Sequence, residues 1–175
     1  FNEVLDSIRF VGEKLNKKQI SDLLVKKIED EINKIETKIS NSKIQNVLCI
    51  EWIEPLMIAG NWIPELVKFA GGKCVLSDAG KSSHFIGTVD LLAEDFEKVI
   101  FMPCGFDINR SKKEILESNL DFFEILKKKK KFIVDGNKYF NRPGPDLLES
   151  TKILAEIINP QFFPSEPNIK RWIPF

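Results

Sequence analysis

Four aromatic side chains stand among turn-formers and charges where a core residue is not needed: Trp52, Phe106, Tyr139 and Phe140. Each comes shortly after an apolar run. Asn61, Asn137 and Arg142 lie in the same kinds of turn and bring directional hydrogen-bonding groups. Aromatic surface bordered by a few polar groups suits a large, partly apolar molecule held by stacking and hydrogen bonds. One loop aromatic is as often a lid on the core as a contact surface. Several at the ends of three successive strands are harder to explain that way. A second chemistry is open to Cys104 and His84, a thiol and the only histidine, as nucleophile and base. No third residue is placed to orient that histidine, and Cys104 reads more simply as the end of a buried strand. Metal sites want several His, Cys or carboxylate ligands at defined spacing, and none is visible. Gly71-Gly72 ends a helix instead of opening one, so it is no phosphate cradle, and Gly105 follows its strand alone.

The elements that must position these residues are legible in the apolar pattern. Val47–Trp52, Lys98–Pro103 and Phe132–Val134 are short apolar runs without alternation, the mark of strands buried on both faces. Cys74–Leu76 is a candidate very short strand. Between them, Asn61 can cap a helix with Pro64 in its first turn, and Gly71-Gly72 stops it. Thr88 can cap a helix reaching Glu94, with Val89, Leu91 and Leu92 apolar. The segments 110–117 and 121–128 read as one broken helix or two short ones. Asp146–Ile158 reads as a helix with Leu147, Leu148, Ile153, Leu154, Ile157 and Ile158 inward. Strands alternating with helices imply right-handed crossovers and a parallel sheet with helices on both faces. In such a sheet the three strong strands end along one edge, and ligands bind outside that edge. Glu51–Pro55, Cys104–Asp107 and Asn137–Arg142 would then face one crevice.

Ahead of the sheet, Phe1–Leu15 reads as an amphipathic helix through Val4, Leu5, Ile8, Val11 and Leu15. Asn16 and Gln19 resemble a capping box for the next helix. That helix runs to about Ser40 and carries Ile20, Leu24, Ile28, Ile32, Ile35 and Ile39 as one thin stripe between charges. Such a stripe suits a strut packed along part of its length, the remainder being exposed or covered by a second copy. Residues 160–175 hold four prolines and read as a tail packing through Phe162, Phe163 and Trp172.

Composition narrows the partners. The chain has 175 residues, 43% hydrophobic, with a formal net charge of zero. That is enough for a real core, and the charge balance gives no support for a nucleic-acid or membrane-surface partner. Lys127–Lys131 is the one like-charge block and reads as the solvated end of a helix. No apolar stretch approaches the ~20 residues of a membrane span. Residues 1–18 lack the basic-then-apolar layout of a signal peptide. There is no initiating Met, and the abrupt start reads as a cut from something longer. Three cysteines, with Cys49 and Cys104 in strand or strand-end positions, declare no compartment.

Three segments together carry a family likeness: VLCIEWIEPLMIAGNWIPELVKFAGG, KVIFMPCGFDINR and VDGNKYFNRPGPDLLESTKILAEIINPQFF. In this order they resemble the C-terminal lobe of cobalamin-binding proteins. These belong to the helical-backbone substrate-binding proteins of ABC importers, which also serve siderophores and haem. The resemblance implies an α/β fold, a three-layer Rossmann-like lobe with a parallel sheet, preceded by a long interlobe helix. It divides the chain into 1–46 (end of a first lobe and the linking helix), 47–163 (C-terminal ligand-binding lobe) and 164–175 (tail). It implies a binding protein, not an enzyme, that captures a corrinoid, with a siderophore or haem as the alternative. The aromatics and Arg of the family's second lobe match Trp52, Tyr139, Phe140 and Arg142. An importer permease is the implied partner and a periplasmic or extracytoplasmic location is implied. The family's docking acid matches loosely at Asp90, and Asp146 stands where the family often has a basic residue. Two rivals stay open: a Cys104/His84 enzyme, and an interaction module that pairs with another chain, including self-association through the linking-helix face.

Overall fold

The computed structural model describes residues 1–118, 122–165 and 170–175. Its frame is three parallel strands, β1 (Gln45–Trp52), β5 (Lys98–Phe101) and β6 (Lys130–Val134). β1 pairs with β5 and β5 with β6, both parallel, as the apolar runs require. Short strands complete the sheet: β2 (Met57–Ile58), β3 (Gly72–Cys74), β4 (His84–Phe85) and β7 (Trp172–Pro174). The order is β4-β2-β1-β5-β6-β7, with β3 parallel beside the first half of β1. β2, β4 and β7 run antiparallel to their neighbours, so short antiparallel edges extend the parallel frame that the sequence implied.

Alternate residues of the central strands feed two cores, which makes the lobe three-layered. Val47, Cys49, Ile100 and Val134 face α3 (Ile63–Phe69), α7 (Leu147–Ile158) and the last turns of α2 (Lys18–Lys38). Leu48, Ile50, Val99, Phe101 and Ile133 face α4 (Thr88–Leu92), α5 (Ile108–Glu117) and α6 (Phe122–Leu126). Full burial of a Leu or Ile side chain contributes about 1.5–3 kcal/mol, so the double-sided strands dominate the stability. At the opposite edge from the crevice, strand starts cap helix ends. Lys98 Nζ donates to Ile158 O at 2.8 Å and also to Gln45 Oε1, while Asn159 Nδ2 donates to Ala70 O at 2.8 Å. Burial, and then Lys130, push the Lys98 ammonium below its ordinary value.

The linking unit departs from its expected register. α1 (Asn2–Lys14) and α2 pack as a hairpin, held to the lobe by Val4 and by Phe1 against Phe69 at 5.1 Å. Ile28, Ile32, Ile35 and Ile39 are buried as expected, but Ile20 is 62% exposed and Leu24 is only half-buried. Val25 and Ser21 take the inner positions instead. The cause is a close crossing: a Cβ on Gly12 would lie 2.1 Å from Ser21 Oγ. Turning Ser21 and Val25 onto α1 turns Ile20 and Leu23 outward. With Phe10, Val11 and Leu15 they leave an exposed apolar end to the hairpin. Among the described residues no helix is long and apolar enough to cross a membrane.

Several local expectations are corrected. Asn16 makes no capping box; it lies at φ 54 and Lys17 precedes the helix without a side-chain cap. Trp62, not Asn61, stands at the start of α3, because Asn61 is turned to φ 55 by the loop beside it. Asn61 N–H donates to Lys81 O at 2.6 Å, and Asn61 O accepts from Gly80 N–H at 2.9 Å. α4 starts after Gly87, whose N–H is held by Asp90 Oδ2 at 2.7 Å, and its Val89 and Leu92 are exposed. Of the lysine run, Lys130 and Lys131 belong to β6, not to a helix end. The second short helix is α6; Asp121 lies outside the described residues. The tail supplies a strand, β7, because Arg171 is buried against Glu149 and Glu156, and Trp172 Nε1 donates to Glu156 Oε2 at 2.8 Å.

Candidate functional site

The strand ends are joined by backbone into one edge. Past β1 and β5, Met102 N–H donates to Ile50 O at 2.8 Å and Cys104 N–H to Glu51 O at 3.1 Å. Past β5 and β6, Asn137 N–H donates to Phe106 O at 3.1 Å. The third loop begins as a single π-helical turn, Gly136–Phe140, capped by Asp135. It needs glycine at its start: a Cβ on Gly136 would lie 2.3 Å from Pro103 O. The turn is held from behind by Ser150 Oγ, which donates to Tyr139 O, and by Trp62 Nε1, which donates to Phe140 O at 3.1 Å.

On this edge Trp52 and Phe106 touch, with ring centroids 5.3 Å apart and planes tilted by 55°. The Trp52 indole is fixed by a 3.0 Å hydrogen bond from Nε1 to Glu54 O and stays half-buried. Phe106 is only 5% exposed, because Arg110 covers it with the guanidinium 3.8 Å from the ring centroid. Tyr139 is half-buried with the Lys138 ammonium 4.8 Å from its ring centroid. Tyr139 first, then Asp135 and Asp146, hold the Lys138 ammonium above its ordinary value. Asn137 and Arg142 are exposed, and Arg142 has no hydrogen-bond or ion-pair partner among the described residues. Stacking area with cationic and carboxamide donors around it is what this edge offers chemically.

Two expected members are placed differently. Phe140 is 1% exposed and fills the core with Leu147 and Leu154, so its ring does not border the crevice. Adjacent residues on a helical turn point in different directions, and Tyr139 takes the outward one. Asn61 lies to the side, its Nδ2 3.5 Å from Ser83 Oγ, and it lines a hollow of about 340 Å³ with Trp62, Gly80 and Pro143. Ser83 Oγ in turn donates to Glu51 Oε2 at 2.6 Å. Trp62 and Arg110 are contacts that the sequence reading passed over. The signal for Trp62 was its place beside Asn61 ahead of a helix start, and for Arg110 its position four residues after Phe106.

The thiol–imidazole pair is not assembled. His84 is on β4 and Cys104 follows β5, with β2 and β1 between them, so the strands lie roughly 14 Å apart at ordinary spacing. Cys49 is a different kind of thiol, its proton held by a hydrogen bond with Cys74 and by burial, far above the ordinary thiol value. Among the described residues no three His, Cys, Asp or Glu side chains gather as a metal site.

No protein-family model matches this sequence, and neither does any curated protein. Solved structures do. A periplasmic haem-binding protein from Pseudomonas aeruginosa superposes with a TM-score of 0.75 at 14% identity, over 98% of this chain and 63% of its own. An ABC transporter substrate-binding protein from Listeria monocytogenes gives 0.73 at 17%, over 89% and 63%. IsdE of S. aureus, solved with haem, gives 0.72 at 21%, over 89% and 63%. The chain therefore has the fold of a lobe of periplasmic substrate-binding proteins of ABC importers, and it spans less than two thirds of the length of these relatives.

Proposed function

We propose that this chain is the ligand-binding lobe of an extracytoplasmic substrate-binding protein, which captures a flat, partly apolar chelate for an ABC importer. The reading is carried by one observation: the Trp52 and Phe106 rings meet at 5.3 Å at the ends of parallel strands. The loop holding Tyr139 is hydrogen-bonded to that pair. Trp52 and Tyr139 supply the stacking floor, with buried Phe106 backing the Trp52 ring, Asn137 and Arg142 at the border and Asn61 at the flank. A corrinoid is the first candidate ligand, supported by the three ordered motifs of the sequence. Haem or a siderophore is the second, haem being what two of the structural relatives bind. The permease is the transport partner, and Asp90 is its candidate contact.

A lone lobe offers one wall of a clamp. Its affinity is then about micromolar at best, near −8 kcal/mol, and tighter when a second lobe closes on the ligand. Titration calorimetry of this chain with cyanocobalamin, haemin and a ferric hydroxamate is the test. Saturable heat with any of the three supports capture, and the strongest binder identifies the ligand class. No heat with all three, for this chain and for a two-lobed version, would falsify the proposal.

A further inference from the structure

Two helical starts at the crevice edge share a four-residue pattern, Asp-x-Asn-base. They are Asp107-Ile108-Asn109-Arg110 after β5 and Asp135-Gly136-Asn137-Lys138 after β6. The structure gives both the same internal hydrogen bond. Asp107 Oδ1 accepts from the Arg110 backbone N–H at 2.8 Å, and Asp135 Oδ1 accepts from the Lys138 backbone N–H at 2.8 Å. Each carboxylate thus caps the turn that carries the basic residue and makes no ion pair with its side chain. The basic side chains ride aromatic rings instead, Arg110 at 3.8 Å over Phe106 and Lys138 at 4.8 Å from the Tyr139 centroid. Among the described residues neither makes an ion pair. The two turns are also adjacent, through the Asn137 N–H to Phe106 O bond.

A cation seated on a ring face is attracted by the ring quadrupole and keeps donors free for another partner. Arg110 keeps a planar fork of N–H groups that fits carboxylate or phosphate. Trp52, Phe106 and Arg110 form one column of contacts, so a flat molecule lying on Trp52 brings its rim toward Arg110. A neutral rim would leave both cations without an ion pair among the described residues.

We propose that these twin capped turns read an oxyanion on the rim of the bound molecule, with Arg110 and Lys138 as specificity-determining residues. This rests on the ligand-capture reading above. The shared chemistry is a carboxylate or phosphate oxygen. It has two sources among the candidate ligands, the carboxylates of a porphyrin and the phosphodiester of a complete corrinoid.

Two pairs of probes separate these sources. Cyanocobalamin carries the phosphodiester and dicyanocobinamide lacks it; haemin carries two carboxylates and its dimethyl ester has none free. Calorimetry at low salt compares the chain with the Arg110→Gln/Lys138→Gln variant, with Arg110→Lys, and with Lys113→Gln as a surface control. In at least one pair the anionic member binds about tenfold tighter, a factor expected of a charge-assisted hydrogen bond at an open site. That ratio falls to near one in the double variant, persists in Lys113→Gln, is partly kept by Arg110→Lys and shrinks as salt is raised. A ratio in the corrinoid pair assigns the phosphodiester, and one in the porphyrin pair assigns the carboxylates. Equal binding within both pairs, or a ratio that survives in the double variant, overturns the inference and leaves the capture reading standing. No heat with any of the four probes, for this chain and for a two-lobed version, overturns the inference, and the ferric hydroxamate titration then decides the capture reading separately. Circular dichroism melting of each variant reports whether its fold is retained.

Discussion

In the proposed capture site Trp52 is the side chain placed to stack on a ligand, since its ring is half-exposed while its partner Phe106 is covered. Desolvated aromatic anchors contribute on the order of 2 kcal/mol or more, so Trp52→Ala weakens ligand binding more than tenfold by calorimetry. Phe140→Leu, by contrast, changes stability and not affinity, because that ring lies in the core. The sequence made Trp52 and Tyr139 legible because each combines an aromatic with polar neighbours just past a strand. It could not separate Tyr139 from Phe140: one residue of rotation on a π-helical turn decides which ring points outward, and no periodicity records it. Lys98 shows the same limit at the opposite edge, a charged residue at the head of an apolar run that proves to be buried. Lys98→Met leaves Ile158 O without one of its donors and costs about 1–3 kcal/mol. The wild type carries a further signature. A lysine whose folded value is lowered binds fewer protons folded than unfolded, so its penalty is present at neutral pH and is relieved as pH rises toward 10.5. Denaturation of the two proteins from neutral to alkaline pH should show the wild type gaining on Lys98→Met; parallel curves would contradict this.

At the scale of elements, β7 is the one the sequence concealed. Prolines and a three-residue length made residues 160–175 look like a tail, whereas the strand is fastened by long-range contacts that no local pattern announces. Arg171 is buried between Glu149 and Glu156, and Trp172 packs on Phe132 at 5.6 Å. Removing one partner of a buried pair costs about 3–5 kcal/mol. Arg171→Met therefore lowers stability by that order and speeds hydrogen exchange at Phe132–Val134, which β7 covers. The parallel frame was legible because strands buried on both faces need unbroken apolar runs, and β1, β5 and β6 have them. The antiparallel edges were not, because two residues such as Met57-Ile58 carry no period. The α2 stripe was legible only where it meets the lobe; nearer the turn, the Gly12–Ser21 crossing overrides it.

Across the whole molecule, the exposed apolar end of the α1–α2 hairpin is the least settled surface. Phe10, Val11, Leu15, Ile20 and Leu23 exceed what single scattered hydrophobes present. In a solution of this chain alone a second copy is the available cover, so light scattering should show association that grows with concentration and is abolished by Leu23→Glu. A monodisperse monomer at high concentration would count against it. The other open surface is the strand-end edge, and there the molecule offers a built-in reporter. Of the three tryptophans, Trp52 and Trp62 belong to that edge and Trp172 belongs to β7. Their indole N–H signals, followed by nuclear magnetic resonance while cyanocobalamin or diamagnetic gallium protoporphyrin is added, locate the ligand directly. Capture at the strand ends moves the Trp52 signal most, Trp62 less, and leaves Trp172 in place. A shift of Trp172 with Trp52 unmoved would contradict it.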